Sequence, residues 1–198
     1  MDIIGPLPCV NQYKYILTIV DHYSKWPTAV AVKTTNSVNI VKKILKHIYK
    51  FGIPDMVLTD QGANFGSDLM KEVCESLGIK KVRTSPYHSQ VDGLAERHNR
   101  TTVNMLAKSI HKDEEWPIAL PSLCYVYNTR RNDTTKISSF ELFFFWRATS
   151  LPIDLLFGLR DHINNNISRV RLIKMLRKVN ENSKLSRDNQ KKYYDKDF

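Results

Sequence analysis

The sequence predicts an α/β fold: a mixed five-stranded sheet, with an antiparallel meander joined to parallel strands through helical crossovers and helices packed around it. Three observations predict it. Three β-prone runs come first, within the opening 32 residues. Two segments of helical period then alternate with two short apolar runs. Helical segments fill most of the remainder and end in a basic stretch.

Met1-Asp2-Ile3-Ile4 reads as a short strand stopped by Gly5-Pro6. Residues 13–20 are strongly β-prone and end at Asp21-His22, and residues 28–32 form a second such run. Residues 13–32 are therefore expected to be a hairpin with 23–27 as its loop. Val38, Val41, Ile44, Leu45 and Ile48 then recur at helical spacing. Asn36 or Ser37 caps that helix, and Gly52 with Pro54 ends it. Met56-Val57-Leu58 reads as a short buried strand. Ser67 begins a second helix with Leu69, Met70, Val73, Cys74 and Leu77 on its apolar face and Gly78 as its stop. Residues 80–84 make the fifth strand. A polar loop covers 85–93, and a helix is expected over 94–110 with Asp92 as N-cap. Another is expected over 117–128, with Pro117 at its start, where proline is tolerated. Residues 129–158 are less regular and rich in Phe. From Asn164 onward, Ile167, Val170, Ile173, Leu176 and Val179 mark a basic amphipathic helix that continues weakly to Tyr194.

A length of 198 residues suits one domain of about 150 residues and an appendage. The expected division is 1–158 and 159–198. A hydrophobic fraction of 42% is enough for a core. The net charge of +10 and a pI near 9.5 suggest a polyanionic partner. The excess is uneven: residues 159–198 hold 11 Lys/Arg against 5 Asp/Glu. A basic tail of this kind binds nucleic acid or is a solvated helix face, and composition leaves both open. Cys9, Cys74 and Cys124 are scattered and show no spacing with His that would make a zinc site. Such cysteine usage fits a reducing compartment. No signal peptide and no apolar run near 18 residues is seen, so a soluble intracellular chain with no membrane partner is expected.

Three carboxylates stand in informative settings. Asp2 lies in the first strand, Asp60 at a strand end before a Gly turn, and Glu96 in the first turn of a helix, with 35 residues between it and Asp60. In open mixed sheets ligands gather at strand ends. If the fold brings the three together, they form a cage for two divalent metals, suited to phosphoryl transfer on nucleic acid. Each also has a plain structural reading: a terminal residue, a turn residue, and a first-turn acid favoured by the helix dipole. Asp21 is the nearest rival carboxylate. Asn64 reads as a turn former, and Lys42, Lys43 and Lys46 as the wet face of the first helix. The Phe140 to Trp146 cluster reads as packing rather than base stacking.

The chain resembles the catalytic core of retrotransposon and retroviral integrases, those of gypsy-type elements in particular. The resemblance rests on Asp2-Ile3-Ile4-Gly5-Pro6-Leu7-Pro8, Val20-Asp21-His22-Tyr23-Ser24-Lys25-Trp26 and Thr59-Asp60-Gln61-Gly62-Ala63-Asn64-Phe65. It continues in Tyr87-His88-Ser89-Gln90-Val91-Asp92-Gly93, Glu96-Arg97-His98-Asn99-Arg100-Thr101, Tyr127-Asn128-Thr129 and Leu151-Pro152-Ile153-Asp154. These segments occur in the family order over nearly the whole chain. The resemblance implies an RNase-H-like fold and a polynucleotidyl transferase that processes 3′ ends and inserts element DNA into target DNA. It implies Asp2, Asp60 and Glu96 as catalytic carboxylates holding Mg²⁺ or Mn²⁺, two ions in all, with Asp21 in a structural hydrogen bond. It implies DNA contacts from the loop residues Tyr87, His88 and Gln90. Arg97, Asn99 and Arg100 follow Glu96 on the helix, the latter two at i+3 and i+4, beside the metals. Its partners would be element ends, target DNA and further copies of itself on DNA, and its place of work the nucleus.

The sequence departs from the family pattern at several points. The first strand begins almost at Asp2, and a strand of Met1–Ile4 is expected to hold that residue poorly. The His/Cys zinc domain that precedes the core in the family is not seen. Tyr193-Tyr194-Asp195 matches the stretch before the family's small C-terminal β-domain. Lys136 replaces a usual Gly, Ser139 a usual Pro, and Phe145 or Trp146 a usual Gly. A truncated or domesticated, non-catalytic nucleic-acid-binding remnant is therefore the alternative reading.

Overall fold

The structure, a computed structural model, describes residues 1–60, 62, 64–83, 116–144 and 169–194. Two units are formed: Met1–Val20 with Pro27–Cys124, and Asp21–Trp26 with Tyr125–Phe198.

In the first unit, β1 (Asp2–Ile4), β2 (Tyr15–Val20) and β3 (Pro27–Val32) form the expected antiparallel meander. Its register runs Asp2↔Thr18 and Ile4↔Ile16 on one side, Tyr15↔Val32 and Val20↔Pro27 on the other. Pro27 opens β3 rather than closing the loop; it sits at the first strand position, where its missing N–H is tolerated. β4 (Met56–Thr59) and β5 (Lys80–Arg83) pair in parallel, Met56↔Lys80 to Thr59↔Arg83. The five strands thus form a ladder of three and a ladder of two. A backbone bond links them: the Met1 nitrogen donates to the Leu58 carbonyl at 2.7 Å.

The middle strand of the meander is buried on both faces, and alternation divides its side chains between two clusters. Leu17 and Ile19 meet Ile40, Val41, Ile44 and Ile48 of α1 (Ser37–Phe51) and Met70 and Cys74 of α2 (Asp68–Ser76). Ile16 meets Val10 and also Trp116 and Leu120, from the start of α3 (Trp116–Thr129). Trp116 is fixed there by its indole N–H, which donates to the Pro8 carbonyl at 2.9 Å. Helices therefore flank the meander on both sides.

The helix ends follow local chemistry. Asn36 Oδ1 accepts the Asn39 N–H at 2.9 Å as the N-cap of α1, and Gly52 closes it with φ 99°. Ser67 caps α2 through the Met70 N–H. Two residues expected on apolar faces are exposed. Val38 lies two positions from Ile40, so it points away from the buried stripe, and Leu69 sits at its margin. Gly5 is required by a close approach. An added Cβ would stand 2.7 Å from the Lys14 carbonyl oxygen and 2.8 Å from Tyr15 Cδ1, at φ +132°.

In the second unit, the Trp26 ring packs against Phe140, Phe143 and Phe144 at centroid distances of 6.0, 5.0 and 5.7 Å. That is the packing role expected for this Phe-rich stretch. Asp21 Oδ2 accepts both the N–H and the hydroxyl of Ser24, and the Asp21 N–H donates to the Trp26 carbonyl. This is a structural role for the rival carboxylate. A short helix, α4 (Ser139–Phe144), stands where the sequence looked irregular. It begins with a capping box: Ser138 Oγ accepts the Glu141 N–H at 3.1 Å, and Glu141 Oε2 accepts from the Ser138 N–H at 3.3 Å. Ser139 is its first helical residue, a position that suits proline; here the buried hydroxyl donates to the Lys25 carbonyl at 3.0 Å. Lys136, at the other departure from the family pattern, adopts φ 60°, a conformation glycine takes without strain. The last helix, α5 (Arg169–Tyr194), ends where expected, and its expected start near Asn164 lies outside the described residues. It buries Val179 completely, and the Asn182 amide donates to the Thr135 carbonyl at 3.1 Å.

Candidate active site

Asp2 is better held than a three-residue strand suggests. The Thr18 hydroxyl donates to its carbonyl at 3.1 Å, across the β1–β2 ladder. On the other side the Met1 nitrogen reaches Leu58 of β4. Ile3 packs against the α1–α2 cluster and Ile4 against the Trp116 cluster, so neighbouring residues anchor the strand on both faces. The half-buried carboxylate accepts the Ile3 N–H through Oδ1 at 2.6 Å.

Asp60 follows Thr59, the last and fully buried residue of β4. Its half-buried carboxylate accepts the Gly62 N–H through Oδ1 at 3.1 Å. Gly62 has no side chain for a reason that concerns Asp60 directly: a Cβ there would stand 3.0 Å from Oδ1 and 3.4 Å from Oδ2. The backbone then turns tightly, with Phe65 and Gly66 donating to the Gly62 carbonyl at 3.0 and 3.1 Å. Phe65 anchors this turn by burying its ring in the α1–α2 cluster at 1% exposure. Two cations from β5 hold its far side. Lys81 Nζ donates to the Phe65 carbonyl, and the Arg83 guanidinium to that of Gly66 at 3.3 Å. Burial, followed by the neighbouring Arg83 charge, pulls the Lys81 ammonium below its usual pKa range.

The bond from Met1 to Leu58 brings together the strands that carry Asp2 and Asp60. Glu96 lies outside the described residues, as do Tyr87, His88, Gln90, Arg97, Asn99, Arg100 and the helix expected over 94–110. Among the described residues, no group of three or more His, Cys, Asp or Glu side chains is placed to hold a metal ion. Phe65, Lys81 and Arg83 were not singled out from the sequence, and Gly62 only as the turn after Asp60. The available signals were a lone aromatic in a polar turn and two cations at alternate positions of a strand.

An antiparallel meander, a parallel pair and flanking helices make an α/β arrangement with Asp2 in β1 and Asp60 directly after β4. Residues 1–89 match the family model described as "Integrase core domain". The Pol polyprotein of transposon 412 from Drosophila melanogaster is 28% identical over 155 residues, 77% of this chain and 12% of that protein. The Pol polyprotein of Radiation murine leukemia virus (strain Kaplan) is 34% identical over 121 residues, 60% of this chain and 21% of that protein. The chain thus spans a small fraction of the polyproteins it matches. Among solved structures, the catalytic core domain of BIV integrase superposes with a TM-score of 0.57 at 21% identity, covering 72% of this chain and 91% of that one. The HTLV-2 integrase catalytic core domain in complex with magnesium (trimeric form) gives 0.56 at 21%, covering 71% and 92%. The chain has the fold of integrase catalytic cores and resembles those of retroviruses and LTR retrotransposons.

Proposed function

We propose that the chain is an integrase catalytic core that breaks and joins DNA phosphodiester bonds, with Asp2, Asp60 and Glu96 as its metal-binding carboxylates. The observation that carries this reading is the bond from the Met1 nitrogen to the Leu58 carbonyl. Taken as a parallel pairing, it sets Met1 level with Thr59 and therefore Asp2 level with Asp60. Neighbouring strands lie about 4.8 Å apart, and level residues project to the same face, so two carboxylates would converge at one site. The same pairing would join the two ladders into one five-stranded sheet, in the order β3-β2-β1-β4-β5. Glu96, from the helix expected to follow, would supply the third ligand.

The donor set fits a hard cation. Carboxylate oxygens, with phosphate and water completing the shell, suit Mg²⁺ or Mn²⁺. Bound as a pair, such ions would activate the attacking oxygen and stabilise the leaving one. The chain's own contribution is orientation. The Ile3 N–H holds the Asp2 carboxylate and the Gly62 N–H holds that of Asp60. Tyr87, His88, Gln90, Arg97, Asn99 and Arg100 are proposed to hold DNA beside the site. The same reading takes element ends and target DNA as substrates for 3′-end processing and strand transfer. It further proposes multimers on DNA, work in the nucleus, and a core of 1–158 extended by a basic 159–198.

A strand-transfer assay with Mn²⁺ and a donor DNA end tests this, comparing the wild type with Asp60→Asn and Glu96→Gln. Both substitutions are expected to abolish joining while leaving DNA binding in place. Joining that survives both would sink the assigned site. DNA binding without joining, in the wild type as well, would favour a non-catalytic remnant.

A further inference from the structure

We propose that Arg83 is a DNA-backbone contact, holding a phosphate beside the strand end that carries Asp60. This rests on the reading of DNA as substrate. β5 reads Lys80-Lys81-Val82-Arg83, three cations in four residues with no acid. Its parallel register sets Arg83 level with Thr59, the residue immediately before Asp60. Lys81 and Arg83 are two apart on the strand and share a face. Among the described residues, no carboxylate lies within ion-pairing distance of either; the ion pair found there is Lys71–Glu75 on α2. Both cations bond instead to backbone carbonyls of the turn after Asp60.

The two differ in what they can offer a ligand. Lys81 is half-buried, and its bond to Phe65 anchors the turn. Arg83 is exposed, and its bond among the described residues is a long one, 3.3 Å, to Gly66. A guanidinium carries five donors in a planar fork that matches a phosphate with two parallel hydrogen bonds. A like charge two residues away is unfavourable for Arg83 until an anion arrives, and the phosphate backbone is the anion a DNA enzyme must grip at this end of the sheet.

The test is fluorescence anisotropy of a labelled DNA duplex with the full chain, in a chelator, over a salt series of about 50–200 mM. Arg83→Gln keeps an N–H donor for the Gly66 carbonyl and removes the charge; Arg83→Lys keeps the charge; Lys42→Gln removes an exposed charge on α1. Arg83→Gln is expected to reduce the slope of log affinity against log salt by about 1, with Arg83→Lys and Lys42→Gln near wild type. Melting temperatures of all three should match the wild type. A wild-type slope and affinity in Arg83→Gln would overturn the contact while leaving DNA as the substrate. An equal loss in Lys42→Gln would also overturn it, because binding would then be diffuse. A wild type that binds no duplex at any salt would overturn the DNA reading itself, and this contact with it.

Discussion

Gly62→Ala separates the position of the Asp60 carboxylate from the stability of the fold. The added Cβ would stand 3.0 Å from Oδ1, 3.4 Å from Oδ2 and 3.5 Å from Cγ of Asp60. Gly62 does not occupy the left-handed region, so alanine meets no backbone penalty there. A carbon–oxygen contact relaxes at about 3.3–3.6 Å, so Oδ1 must give way by about 0.3–0.6 Å. That movement also strains the 3.1 Å bond from the Gly62 N–H. A misplacement of about 1 Å near a reacting centre costs about 100-fold in rate. Scaled logarithmically, about 0.3–0.6 Å costs about 4- to 16-fold, or about 0.8–1.6 kcal/mol of barrier. Folding stability should hold or rise by up to about 1 kcal/mol, since alanine restricts the unfolded chain. The assays are strand-transfer rate at saturating Mn²⁺, Mn²⁺ affinity by calorimetry, and urea unfolding. Wild-type rate and wild-type Mn²⁺ affinity in Gly62→Ala would refute the steric argument. A fall in urea midpoint would refute it differently, by showing that the turn itself needs glycine.

Gly5→Ala should unfold the first unit far more readily, because its Cβ would meet the Lys14 backbone carbonyl and the Tyr15 ring of β2 and the φ is positive. Overpacking and backbone strain together predict a loss of about 2–6 kcal/mol in urea unfolding, and a loss under about 1 kcal/mol would mean that the turn relaxes freely. Lys136→Gly should be stabilising. Releasing a non-glycine residue from φ 60° recovers about 1–2 kcal/mol, and the extra freedom of glycine in the unfolded chain returns about 0.5–1 of it. A urea midpoint below wild type would contradict that sign. His22 should make the protein acid-sensitive. Partial desolvation, then the Lys25 charge, lower its pKa below 6.5; Arg187 adds to the effect and Asp21 opposes it. The unfolded chain therefore takes up the proton first, and stability falls as pH drops through about 6.5 toward the folded pKa. Melting at about pH 7.5 and 5.5 should show a smaller acid loss in His22→Gln than in the wild type, and equal losses would show that His22 does not sense pH.

What the sequence revealed was local chemistry. The limits of α1 could be read because Asn36, the apolar repeat and Gly52 all act within a turn of the residues they govern. The hairpin was equally legible, since β-prone runs flanked a polar loop. α4 was missed because six residues carry too little period, although Ser138 and Glu141 spelled out its cap. Lys136 and Ser139 showed as departures from a family pattern, but only the backbone explains what each does. The partners of Trp26 lie more than 100 positions away in the chain, and no local rule pairs them. The same holds for the Trp116 indole and the Pro8 carbonyl. Asp60 was legible as a strand end; the crowding of its carboxylate by Gly62 was not, because a missing atom leaves no pattern.

The two described carboxylates of the proposed site are oriented by the backbone immediately after them: Asp2 by the Ile3 N–H and Asp60 by the Gly62 N–H. Orientation is therefore set within two residues, whereas the distance between the two is set by strand positions that depend on the packing of Ile3, Ile4, Leu17 and Phe65. The two determinants can fail separately. A core truncation such as Phe65→Ala loosens the turn that follows Asp60 and costs about 3–5 kcal/mol of stability, so structure and chemistry decline together. A change at Gly62 leaves the strands where they are and turns one carboxylate. A site built this way can lose its geometry without losing its fold. An inactive chain that still melts like the wild type is therefore the expected mark of a lesion at the turn, and an inactive chain that melts early marks one in the sheet.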